Sequence, residues 1–170
     1  MAKTLQNLVD AYKREEQSLP DGVTVPPASE AELQEVQRTF SERFRVELAP
    51  EYLELAALAD GISAQGTFIY SVVPRRLIVP HTGEHISKPG IVDENTGWRL
   101  DDASGKMIRN WLIYGIGELE FIIQFVPSGK FQRRSRRDWN RVMDETDTFN
   151  DILWRSFEQR LCPLPATDGT

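Results

Sequence analysis

The apolar residues of this chain change their spacing at Asp60-Gly61, and that change limits the fold more than any other feature. Before it they recur at helical intervals. Leu5, Leu8, Val9 and Tyr12 follow the i, i+3, i+4, i+7 pattern, and Leu33, Val36, Phe40 and Phe44 form a second stripe. After it the pattern becomes β-branched, aromatic and nearly continuous, in Thr67–Val73, Trp111–Ile116 and Leu119–Phe125, as strands require. Helical spacing returns in Phe149–Leu161, where Phe149, Ile152, Leu153, Phe157 and Leu161 share one side. Helices, then strands, then a helix is the order of an α+β fold, with N-terminal helices and a C-terminal helix packed on an antiparallel sheet.

Punctuation along the chain sets the boundaries. The first helix is expected from about Lys3 to Gln17, and Pro20, Pro26 and Pro27 then break the chain into an extended linker. Ser29 and Glu32 have the spacing of a capping box, which opens a helix over Ser29–Phe44. Pro50 suits the first turn of a third helix, lined by Tyr52, Leu55, Ala56 and Leu58 and closed by Asp60-Gly61 as its C-cap. Residues 74–110 hold Pro74, Pro80 and Pro89 with Gly83, Gly90 and Gly97, so loops and a short helix are expected there. Turns at Gly117-Glu118 and Pro127-Ser128-Gly129 join Trp111–Ile116, Leu119–Phe125 and Lys130–Arg134 into three consecutive antiparallel strands. The organisation expected is a helix and linker over 1–28, an α+β domain over 29–161 that shares its core with that helix, and a flexible tail over 162–170.

Composition narrows the function classes. The chain has 170 residues, 40% hydrophobic and 27% charged, which excludes collagen, coiled-coil rod and wholesale disorder. No apolar run approaches the roughly 18 residues of a membrane span, and Met1–Gln17 is polar from the start, unlike a signal peptide. A cytoplasmic location and no membrane partner are expected. Cys162 is the only cysteine, so no intrachain disulfide can form, and nothing nearby in sequence would activate its thiolate. The net charge of −6 argues against a general nucleic-acid binder. That charge is regional: residues 1–60 hold 12 acidic and 6 basic side chains, while the rest of the chain is balanced.

Local motifs offer little chemistry. His81-Thr-Gly-Glu84-His85 matches H-x-x-E-H formally, and a metallo-hydrolase would need both imidazoles on one helical face with Glu84 as base. Pro80, Gly83 and Pro89 oppose such a helix, and a polar loop with exposed imidazoles is the favoured reading. Paired carboxylates, Asp101-Asp102 and Asp144-Glu145, read as exposed turn charges rather than an acid–base pair. Gly115-Ile-Gly117 lacks the further glycine and helix start of a phosphate loop. Arg133, Arg134, Arg136 and Arg137 with Trp139 form the one basic cluster; it reads first as a solvated strand end and turn, and otherwise as a surface for nucleic acid or for an acidic protein. Of the four tryptophans, at least two are expected in the core. No cofactor and no catalytic or metal-binding residue is assigned.

The stretch from Leu48 to Gly61 carries a resemblance. Its Pro50, Tyr52, Leu55, Ala56, Asp60 and Gly61 are similar to the hallmark of the SUKH superfamily, which covers bacterial immunity proteins and yeast regulators of cell-wall assembly. Ala49 stands where that family's proline usually lies. The capped helix Ser29–Phe44 precedes the hallmark, and Gly66–Tyr70 resembles the first strand of the YrhA-like branch. Tyr114-Gly115 looks like the family's aromatic-glycine signature, and Phe149–Leu161 is similar to its closing helix. The resemblance implies a non-enzymatic binding domain, most often an immunity protein that neutralises a cognate toxin, frequently a nuclease. A housekeeping regulatory domain of the same fold is the alternative. Ranked by charge and expected exposure, Glu30, Glu35, Glu42 and Glu51 and the arginine cluster are the candidate partner-binding residues, and oligomeric state is left open.

Overall fold

Local signals start the first three helices of the computed structural model, which describes residues 3–64, 66–100, 105, 106 and 108–161. The expected tail 162–170, Cys162 and the Asp101-Asp102 pair lie outside the described residues. Helix α1 (Leu5–Ser18) opens at Thr4, whose hydroxyl accepts from the Asn7 N–H. Helix α2 (Glu30–Phe44) opens with the expected capping box: the Glu32 N–H donates to the Ser29 side chain while the Glu32 carboxylate accepts from the Ser29 N–H. Such reciprocal capping satisfies two orphan donors and contributes about 1 kcal/mol. Helix α3 (Pro50–Leu58) begins on Pro50. Its C-cap is Ala59, not Asp60-Gly61: Asp60 turns inward and is fully buried.

Strands β1 (Ser63–Ala64), β2 (Thr67–Ile69), β5 (Trp111–Ile116), β6 (Glu120–Phe125), β7 (Lys130–Ser135) and β8 (Val142–Thr146) form one antiparallel sheet in the order β1-β2-β5-β6-β7-β8. The three central strands and both turns fall where the apolar runs place them. The strand expected over Thr67–Val73 stops at Ile69: Tyr70 N–H still reaches the Tyr114 carbonyl of β5, but Ser71 N–H goes to the Pro89 carbonyl and Val72 N–H to the Asp60 carboxylate. Asp144-Glu145 is expected as turn charges, but Val-Met-Asp-Glu-Thr forms β8 although it lacks apolar alternation. It is an edge strand, and Asp144-Glu145 lies within it rather than in a turn.

Residues 74–110 hold more structure than their prolines suggest. Strands β3 (Arg75–Ile78) and β4 (His85–Lys88) pair as a separate hairpin, and α4 (Ile91–Leu100) follows. Pro74, Pro80 and Pro89 flank these strands and leave the ladder untouched, as a residue without an N–H must.

Helices cover both faces of the sheet. On one face α3 and α5 (Phe149–Leu161) bring Tyr52 and Phe149 onto Tyr114 and Phe131, with ring centroids 4.8 to 6.0 Å apart. On the other, α4 sets Trp98 against Phe121 at 5.3 Å, and its Asn95 side chain bonds both N–H and C=O of Ile113. Trp111 and Trp154 are buried, in line with the expected two. Gly115 sits at a bulge where β2 crosses close. A Cβ there would meet the Phe68 carbonyl oxygen at 2.6 Å and Ile69 Cδ1 at 2.8 Å. Gly115→Ala is therefore expected to destabilise the protein by about 1–3 kcal/mol through overpacking, read as a lower urea midpoint with unchanged slope.

Candidate binding surfaces

The most constrained polar group is Asp60. Its Oδ1 accepts from Val72 N–H at 2.7 Å and its Oδ2 from Arg75 Nε at 2.8 Å, while the same guanidinium reaches Glu32 Oε2 at 3.1 Å. Glu32 is also the N3 residue of the α2 capping box. One arginine thus ties the α3 exit, the start of the β3–β4 hairpin and the α2 N-terminus together. Burial pushes the Asp60 carboxyl above its ordinary range, and the Val72 N–H and Arg75 pull it back. Glu32 is held down to about 2, first by the Ser29 N–H and then by Arg75. Gly61 follows at φ +94°, a conformation that favours glycine, so the Asp-Gly pair serves a buried turn. Of the other residues that carry the resemblance, Tyr52, Leu55 and Tyr114 are fully buried, Pro50 is exposed, and Tyr52 Oη donates to the Tyr70 carbonyl at 2.9 Å.

The acidic candidates lie on the helical side. Glu30, Glu35 and Glu42 are exposed on α2, whereas Glu51 on α3 is half-buried. Arg38 is clamped between Glu35 and Glu42 at 2.6 and 2.8 Å, which neutralises part of that face. Exposed pairs of this kind are screened by solvent and add little to stability.

The basic cluster is not a solvated turn throughout. Arg133 turns to the α5 face, where its Nε bonds the buried Glu120 carboxylate at 2.8 Å. Arg134 lies on the other face, 4.9 Å from the Trp111 ring centroid and 5.5 Å from that of Phe125, with its Nη1 on the Trp139 carbonyl. Trp139 is half-buried against Trp98, Trp111 and Phe121. Adjacent strand residues point to opposite faces, so the cluster splits in two. Arg136 and Arg137 stay exposed, although Arg136 Nη1 bonds the Gly117 carbonyl at 3.0 Å.

The H-x-x-E-H stretch spans the tip of the β3–β4 hairpin. His81, Glu84 and His85 are exposed, and His85 pairs with Ile78. The helical face that the metallopeptidase geometry needs does not form. No group of three or more metal-ligating side chains occurs among the described residues.

Sequence reasoning missed one feature. A cleft of about 430 Å³ opens between the hairpin and the α1 exit, lined by Glu16, Leu19, Val23, Leu77, Ile86 and Lys88 among others. Lys88 Nζ donates to Ser63 Oγ at 2.6 Å. The one signal in the sequence was the alternation Arg75, Leu77 against Lys88, Ile86, obscured by the flanking prolines. No family model, curated protein or solved structure matches this chain.

Two measurements test the Asp60 node. Arg75→Met strands a fully buried carboxylate and is expected to cost about 3–5 kcal/mol in urea unfolding, part of which Asp60→Asn on the same chain restores. Glu32 has a depressed native pKa, so its contribution is present above its ordinary value of 4.5 and lost as pH falls toward 2. The wild type should therefore lose more stability than Glu32→Gln between those pH values.

Proposed function

We propose that this chain is a non-enzymatic protein-binding domain of the SUKH type that neutralises a cognate bacterial toxin. One observation carries the reading. Residues assigned to three separate parts of the resemblance, Tyr52, Tyr114 and Phe149, meet in a single ring cluster, with centroids 5.2, 5.9 and 4.8 Å apart. The three parts of the resemblance therefore share one core cluster, which supports reading them together and leaves the exposed surfaces for a partner.

The physical requirement for neutralisation is a rigid scaffold that presents charge complementary to the toxin. The α2 face with Glu30, Glu35 and Glu42 supports that role, because a nuclease holds its substrate in a basic groove that an acidic surface can occupy. Structural use of Arg133 and Arg134 makes the basic cluster the weaker candidate. A housekeeping regulator of the same fold would use the same surfaces, and the identity of the neighbouring gene separates the two readings.

The test is co-expression with the product of the adjacent gene. Protection of the cell and a stable complex are expected, whereas absence of both sinks the toxin reading. Within the complex, charge reversal at Glu30 and Glu42 should slow association roughly tenfold at low salt and much less at high salt, as steering by exposed charge requires. An association rate independent of both charge and salt would move the contact away from α2.

A further inference from the structure

Strand β8 ends the six-stranded sheet, and an open edge is a template for strand addition. Which of its backbone groups face outward follows from β7. Ser135 N–H bonds the Arg141 carbonyl on the β8 side, and Arg136 N–H bonds the Leu119 carbonyl on the β6 side. Because β7 pairs with β6 in unbroken register, Gln132 and Arg134 are in step with Arg136 and turn their backbone groups toward β6. Their partners in β8, Glu145 and Val142, therefore turn theirs away from the sheet. Val142 and Met143 are 42% and 45% exposed, so the edge is accessible and partly apolar.

Two features obstruct it. The register shift between Arg133 and Arg134 makes Met143 an extra residue in β8. The outward-facing residues Val142 and Glu145 are thus three apart, whereas a regular incoming strand offers a partner at every second residue. The second obstruction is a side chain. The outward Glu145 N–H donates to Oδ1 of Asp144 at 3.0 Å. That same oxygen accepts from Arg155 Nη1 on α5, and Arg133 Nη1 lies 3.9 Å from Oδ2. Cations from a helix and from the neighbouring strand hold the carboxylate where it masks the donor an added strand would need. Antiparallel pairing of two β8 strands would also bring Asp144 and Glu145 of one copy against those of the other, and like charges opposed across a ladder are destabilising. At the opposite edge β1 has only two residues, too short to offer a ladder.

We propose that Asp144, together with the bulge at Met143, guards the β8 edge against strand addition by a second copy of this chain. Asp144 masks the Glu145 N–H and contributes repulsion, while the bulge breaks the spacing of the outward groups. Arg155 keeps the mask in place. The inference does not depend on the toxin reading, because it concerns the surface that must stay closed whatever the partner is.

The tests use the full ¹⁵N-labelled chain. In the wild type the Glu145 amide should exchange with solvent roughly tenfold more slowly than in Asp144→Ala, after correction for the neighbouring side chain, the worth of one charge-assisted hydrogen bond. Arg155→Gln leaves the β8 sequence intact and should give an intermediate rate. In sedimentation velocity the wild type should stay monomeric as concentration rises. A variant with Met143 deleted, Asp144→Val and Glu145→Thr loses the bulge, the mask and both charges. It should form dimers, with concentration-dependent amide shifts centred on β8. Equal Glu145 exchange in wild type and Asp144→Ala overturns the proposal, whether or not the triple variant folds. A folded triple variant that stays monomeric overturns it too, as does a wild type that dimerises through β8.

Discussion

A carboxylate with no solvent exposure must be surrounded by donors, and in this protein that requirement at Asp60 organises the junction of helices and hairpin. Val72 N–H and Arg75 supply the donors. Because Arg75 also reaches Glu32, the solution extends to the capping box that starts α2. The chain after Ile69 leaves the sheet to bring Val72 to Asp60, and the hairpin begins where Arg75 can follow. Buried ion pairs add little net stability but cost several kcal/mol when one partner is lost, so the node acts chiefly by fixing one arrangement of α2, α3 and β3.

A second constraint lies in the sheet. Tyr114 and Gly115 are neighbours with opposite demands: the ring fills the core between α3 and α5, while the missing side chain lets β2 approach. On the far face, Trp98, Trp111, Phe121 and Trp139 pack ring against ring, and Arg134 lies over Trp111 with its Nη1 on the Trp139 carbonyl. That packing draws residues of a nominal basic patch into the structure.

The sequence by itself determined the elements whose signals are local. Ser29 and Glu32 cap α2 whatever surrounds them, Pro50 starts α3, and the apolar runs of β5 and β6 allow only buried strands. These rest on spacing and backbone chemistry within a few residues. The tertiary structure alone decided where polar groups go. It made Asp60 a buried hub instead of a helix cap, split Arg133 from Arg134 across the sheet, placed Asp144 on an edge strand, and folded His81–His85 into a hairpin tip. It also formed the cleft, whose walls come from residues far apart in the chain. The reason is common to all of them: a polar side chain takes its role from the partner it meets, and that partner is set by packing over long sequence separation rather than by its neighbours in the chain.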